Sequence, residues 1–221
     1  MQLGEDILKT LAPWTYRRYL AQTDIAGIKN LKRKIEQRSA AGGTENLNVK
    51  TGHGGIRDIE FVIQFLQLLN GGELESIRTG NTLEAIVRLE EAGCLTMQER
   101  SILEENYAFL RKIEHRLQIM FDMQTHTLPT GDEEMTKLAI RMGYDSVGSG
   151  ESSADEQPLA TFQRDLQEKT ELNRKILDHL LHDAFPSIDE SSPTVDLILD
   201  PNPGPESIND CLLYTSPSPR D

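Results

Sequence analysis

Thr96-Met-Gln-Glu-Arg-Ser-Ile-Leu-Glu-Glu-Asn-Tyr-Ala-Phe-Leu-Arg-Lys-Ile-Glu-His-Arg-Leu-Gln-Ile-Met-Phe-Asp-Met123 decides the fold class. Leu103, Leu110 and Leu117 stand seven apart with Ile113 and Met120 interleaved, the spacing of one apolar stripe along a helix. Thr96 and Glu99 have the form of a capping box, in which the cap hydroxyl takes an orphan amide and the later carboxylate reaches back. The spacing predicts a helix over 97–123. Its expected partner is 158–185, where Phe162, Leu166, Leu172, Ile176, Leu180 and Leu181 supply a matching stripe, and the two are expected to run antiparallel.

Outward from this pair the same period continues. Asn81-Thr-Leu-Glu84 reads as a second capping box, opening a helix that should stop at Gly93 in a left-handed cap. Further helices are expected at 13–20, 24–39, 56–69 and 132–142, and no segment has the alternation of a strand. The expected fold is all-α: a helical bundle over 1–185 with one long antiparallel helix pair.

Composition excludes several classes. The 221 residues carry 23 basic and 36 acidic side chains, a net charge of −13 that repels phosphate backbones, so nucleic acid is not an expected partner. No apolar run is long enough to span a membrane and no leader opens the chain, so a cytoplasmic protein is expected. Cys94 and Cys211 are too few for a disulfide framework and match no zinc spacing.

The acidic excess is uneven. Residues 186–221 hold seven of the ten prolines and seven acids against one base, Arg220. Such a stretch lacks the apolar density of a core, and 186–210 is expected to be a disordered linker or the start of a further region. Cys211-Leu-Leu-Tyr-Thr-Ser-Pro-Ser-Pro-Arg-Asp221 resembles a translated sequencing-library adapter, which would mark a truncation of the natural gene.

The helix expected from Ile56 is apolar almost all round: Ile56, Ile59, Phe61, Val62, Ile63, Phe65, Leu66, Leu68 and Leu69 make it the expected buried centre. Arg57, Glu60, Gln64 and Gln67 form a single polar stripe on it, either an internal hydrogen-bonded network or the wall of a cleft. Just upstream, Asn48-Val-Lys-Thr-Gly-His-Gly-Gly-Ile-Arg-Asp58 places Gly52, Gly54 and Gly55 before a helix N-terminus, with Lys50 and Arg57 on either side. Free amides and the positive helix end can hold an anion there. A plain flexible entry to the helix is the alternative, and neither a P-loop nor a dinucleotide fingerprint is present.

Other candidates carry less chemistry. His115, His126, Asp122 and Glu114 are read as paired or solvated side chains, with no metal site and no catalytic residue assigned to this chain. Trp14, Tyr16, Arg17, Arg18 and Tyr19 are expected to pack at the start of the bundle, with nucleotide stacking as the alternative. Lys29, Lys32, Arg33, Lys34 and Arg38 read as a solvated basic face, or a contact for an acidic protein or the acidic tail.

Val49-Lys-Thr-Gly-His-Gly-Gly-Ile-Arg-Asp-Ile-Glu-Phe-Val-Ile-Gln64 followed by Gln67-Leu-Leu-Asn-Gly-Gly72 resembles the glutamine synthetase adenylyltransferase and adenylyl-removing enzymes. Tyr107-Ala-Phe-Leu-Arg-Lys-Ile-Glu-His-Arg-Leu-Gln118, Asp122-Met-Gln-Thr-His-Thr-Leu-Pro129 and Tyr16-Arg-Arg-Tyr-Leu20 are similar to the same family, over about residues 10–185. The resemblance implies a helical domain that follows a nucleotidyltransferase domain, in the half that removes AMP from glutamine synthetase by phosphorolysis. It implies Mg²⁺ and ATP or ADP for the complete enzyme, and glutamine synthetase and the PII signal protein as partners. The family's metal-binding Gly-Ser with Asp-x-Asp is not in this sequence, so the chain is expected to be inactive without that domain. Lys50, Gly52, Gly54, Gly55 and Arg57 are the expected phosphate-facing set, supported by Asp58, Glu60, Gln64 and Gln67. The PII-uridylyltransferase helical domain and a non-catalytic interaction module remain as alternatives.

Overall fold

The computed structural model describes residues 2–41, 47–144 and 158–183. In chain order these form α1 (Gln2–Thr15), α2 (Gln22–Ala41), α3 (Ile56–Asn70), a 3-10 turn at Glu75–Ile77, α4 (Thr82–Glu91), α5 (Met97–Phe121), α6 (Asp132–Met142) and α7 (Pro158–Asp183). Among the described residues no strand forms, and one isolated antiparallel bridge joins Asn48 to Thr127. The all-α expectation holds, and the predicted helices from 24 onward end within about two residues of those seen. The linker at 186–210 and the adapter-like 211–221 lie outside the described residues.

The helix predicted to begin at Pro13 is a correction. Pro13 sits in the last turn of α1, which starts eleven residues earlier at Gln2. A proline costs one backbone hydrogen bond and tends to end a helix, and here the helix stops two residues later. The repeat Ile7, Leu11, with Leu8 and Trp14 beside it, was the helical signal upstream.

Two compact units are distinguished. Residues 20–37, most of α2, belong to one; Arg33 and Lys34 are exposed there, while the side chains of Lys29 and Arg38 lie outside the described set. The other holds α1 and α3 to α7. In it α3 is the centre, packed against α4, α5 and α7, with Ile56, Ile59, Val62, Ile63, Phe65 and Leu66 buried. Each such side chain contributes about 1.5–3 kcal/mol on burial, so the near-continuous apolar circumference of α3 makes it the core.

Helix caps explain the boundaries. At α5 the Glu99 amide donates to Thr96 Oγ1 at 3.2 Å and the Thr96 amide to Glu99 Oε2 at 2.8 Å, a complete capping box. At α4 only half of the predicted box forms: Asn81 Oδ1 accepts from the Glu84 amide at 3.1 Å, while the Glu84 carboxylate turns to Thr79 and Arg88. Thr96→Ala is expected to cost about 1 kcal/mol, lowering the melting temperature by roughly 2–4 °C. Thermal circular dichroism checks this; an unchanged midpoint would show the cap to be redundant.

On α7 the predicted stripe needs one correction. Leu172 is 40 % exposed, and Asn173 takes the buried position beside Phe162, Ile176 and Leu177. Residue 173 lies on the same face as 162, 166, 176 and 177 at helical spacing, and 172 is turned about 100° away. A polar residue occupies the seam because its bonding partners are there.

Candidate functional site

The glycine loop folds by satisfying its own amides. The Val49 amide donates to the His126 carbonyl at 2.9 Å and the Leu128 amide to Leu47 at 2.7 Å, which ties the loop to residues 125–129. Asn48 Oδ1 accepts from the Lys50 and Thr51 amides, both at 3.0 Å, the side-chain-closed turn for which Asn is suited. The Gly52 amide donates to Asn48, Gly55 to Gly52, Ile56 to Val49 and Arg57 to Lys50. The Gly54 amide donates to Asp58 Oδ2 at 2.9 Å. The amide cradle expected at Gly54 and Gly55 is therefore committed within the chain, and the positive charge that the loop presents outward belongs to side chains.

The glycines have internal reasons. Gly54 has φ +68°, and a Cβ there would stand 2.0 Å from the Thr170 carbonyl oxygen of α7. At Gly55 a Cβ would meet the Val49 and Gly52 carbonyl oxygens at 2.7 and 2.8 Å. One glycine lets α7 seat on the loop; the other lets the loop close. On its other side the loop borders a cavity of about 530 Å³, with Leu128, Met135, Phe162 and Leu166 apolar in its lining and His53 and Gln167 polar.

A buried amide network fastens this junction. Asn173 Nδ2 donates to the Gly54 carbonyl at 2.9 Å, and Asn106 Nδ2 donates to Asn173 Oδ1 at 2.8 Å. Sequence reasoning passed over both residues. The signal was available as a polar side chain on each apolar seam, Asn106 between Leu103 and Leu110, and Asn173 before Ile176.

Lys50 is half-buried, and its ammonium lies 3.9 Å from the carboxylate of Glu114, which is buried on α5. Arg111 pairs with the same carboxylate, and His126 Nδ1 approaches it at 2.7 Å off the line of a hydrogen bond. Of the histidine and acid candidates, Glu114 and His126 thus meet. His115 is exposed, and Asp122 is the exposed left-handed C-cap of α5. Among the described residues no three potential metal-ligating side chains converge.

The polar stripe of α3 divides. Arg57 is half-buried, with its amide bonded to the Lys50 carbonyl, and Glu60 accepts from the Tyr107 hydroxyl at 2.9 Å. Burial foremost, and the Glu60 contact with it, hold that phenol above its ordinary pKa, so it stays a donor at neutral pH. Gln64 is exposed. Gln67 is buried and donates to Ile77 and Thr79 carbonyls at 2.7 and 3.0 Å, the internal-network alternative. At the far end of α3, Gly71 and Gly72 receive Tyr16 and Arg17, and Arg78 lies over the Tyr16 ring at 5.1 Å. Tyr16 is thus packed, while Trp14 and Tyr19 are exposed. Cys94 is half-buried, and burial pushes its thiol pKa up.

Comparison with known proteins bears on this geometry. A family model described as GlnD PII-uridylyltransferase matches residues 29–181. A protein of Brucella suis biovar 1 (strain 1330) is 41% identical over 143 residues, covering 64% of this chain and 14% of the relative. One of Rhizobium meliloti (strain 1021) is 37% identical over 166 residues, covering 74% and 17%. One of Xanthomonas campestris pv. campestris (strain B100) is 41% identical over 141 residues, covering 64% and 15%. All three carry the name bifunctional glutamine synthetase adenylyltransferase/adenylyl-removing enzyme. The chain spans 14–17% of the length of these relatives.

Proposed function

The chain belongs to the GlnD PII-uridylyltransferase family, and we propose that it is the helical part of an enzyme that adenylylates and deadenylylates glutamine synthetase. The observation that carries this is convergence. Lys50 from the glycine loop, Arg111 and Glu114 from the Tyr107–Gln118 motif, and His126 from the Asp122–Pro129 motif meet at one place. Motifs that served only the fold would not need to bring basic side chains together from three segments.

Lys50 and Arg57 are proposed to face the cleft of a nucleotidyltransferase domain, where they steady phosphate oxygens, with Gly52, Gly54 and Gly55 shaping the backbone beneath them. The forms Arg57-Asp-Ile-Glu-Phe61 and Gln124-Thr-His-Thr-Leu-Pro129 support the AMP-removing half. The long helices are proposed to run antiparallel, which fits Asn106 meeting Asn173 while Phe109, farther along α5, meets Phe162, farther back on α7. Residues 1–185 form the helical domain on this reading, and 186–210 a linker.

The acids near the loop do not fit a Mg²⁺ site. Asp58 is bonded to the Gly54 amide, Glu60 to Tyr107, and Glu114 to its cations. Mg²⁺ and ATP or ADP are therefore assigned to the nucleotidyltransferase domain that the resemblance implies. Glutamine synthetase is the proposed substrate, PII the proposed regulator and the cytoplasm the proposed location. No helix among the described residues is long and apolar enough to cross a membrane.

The family description favours a second reading, uridylyl transfer to PII. An exchange enzyme separates them: residues of this chain replace the matching 143-residue segment of the Brucella suis relative. The expected result is AMP removal from adenylylated glutamine synthetase, with no UMP transfer to PII. A folded exchange enzyme that moved no AMP would overturn the first reading.

A further inference from the structure

Glu114 is 2 % exposed, yet three basic side chains gather on it. Its Oε1 lies 3.9 Å from Lys50 Nζ and 2.7 Å from His126 Nδ1, and its Oε2 pairs with the Arg111 guanidinium. Lys50, Arg111 and His126 remain 35, 37 and 27 % exposed, so solvent reaches these side chains and not the acid, while the His126 Nδ1 turned to Glu114 is itself buried. One cation suffices to neutralise a buried carboxylate. Here two permanent cations and a histidine share it. Lys50 and Arg111 against the single Glu114 carboxylate leave one positive charge in surplus, on side chains about one-third exposed.

The arrangement is built by the backbone. Val49 is bonded to His126, and Asn48 pairs with Thr127, so Lys50 and His126 are neighbours because their chain segments are. Arg111 and Glu114 lie one helical turn apart on α5. Guanidinium and ammonium groups at fixed spacing over a buried counter-charge suit a tetrahedral oxyanion, which takes several charge-assisted hydrogen bonds at once.

Resting on the reading above, we propose that Glu114 is a positioning residue that sets Lys50, Arg111 and His126 as one site for a phosphate-type oxyanion. The anion binds on the solvent side of the cations. Glu114 does not touch it and acts by holding the groups that do.

The test titrates the 221-residue chain with inorganic phosphate at constant ionic strength, following backbone amide signals by NMR, with chloride as the control. Saturable shifts confined to residues 48–57, 111–114 and 126 are expected. Lys50→Met and Arg111→Met, at positions about one-third exposed, should each weaken binding about tenfold, the scale of one charge-assisted contact. Glu114→Gln should weaken it comparably and Glu114→Asp recover part of the loss, a rescue that a merely structural role would not produce. Shifts that chloride reproduces, or that survive both methionine variants, would overturn the proposal, and these two variants decide it should Glu114→Gln fail to fold. Phosphate binding with an inactive exchange enzyme would keep the site and remove the enzymatic reading. An active exchange enzyme with no phosphate binding to the chain would do the reverse.

Discussion

Gly54→Ala is expected to lower the melting temperature of the chain by roughly 4–20 °C, and Gly54→Val to prevent α7 from docking. Two costs add. The left-handed backbone at φ +68° is unfavourable for a residue with a Cβ by about 1–2 kcal/mol. The Cβ would also stand 2.0 Å from the Thr170 carbonyl oxygen; backbone must shift to relieve it, at about 1–3 kcal/mol for an overpacked core. A total of about 2–5 kcal/mol gives that range at roughly 2–4 °C per kcal/mol for a chain of this size. Thermal circular dichroism and limited proteolysis at the α7 junction read it out. A midpoint within a degree or two of wild type would mean that α7 does not seat on Gly54.

Asn173→Leu should cost about as much by a different route. Branching and heavy-atom count are kept, though leucine is bulkier, and the Gly54 carbonyl loses its donor while the Asn106 amide loses the nearer of its two acceptors, leaving the Lys169 carbonyl at 3.3 Å. Each stranded polar group costs about 1–3 kcal/mol, so a loss of roughly 2–5 kcal/mol is expected in urea unfolding. Asn106→Leu combined with it should cost less than the two singly, because the apolar pair no longer strands one amide against the other. Strictly additive losses would contradict a shared network.

Much of the fold could be read from the sequence because its determinants are local. The 3.6-residue spacing of Leu103, Leu110 and Leu117, the Thr96 box and the apolar run from Ile56 each act within a few turns of chain. The start of α1 was masked by Pro13, a residue that permits a helix to begin and also one to end. What escaped was long-range. Asn106 and Asn173 are 67 residues apart, and nothing beside either announces the other. The glycine loop was legible as a special backbone, but not the use of its amides. Asp58 and Asn48 have acceptors placed to close the loop internally, and only the fold shows that they do. Likewise Glu114 read as one more acid on a long helix until the pairing of 48–49 with 126–127 set Lys50 and His126 against it.

Lys50 is where sequence motif, loop fold and proposed chemistry coincide, so its removal is the most direct measurement. In the exchange enzyme, Lys50→Ala should leave the circular dichroism spectrum unchanged and lower kcat/KM for AMP removal by about 10- to 100-fold, the kinetic equivalent of a charge-assisted contact of about 1.5–3 kcal/mol. Wild-type kcat/KM in a folded Lys50→Ala enzyme would contradict a phosphate-facing role for the loop.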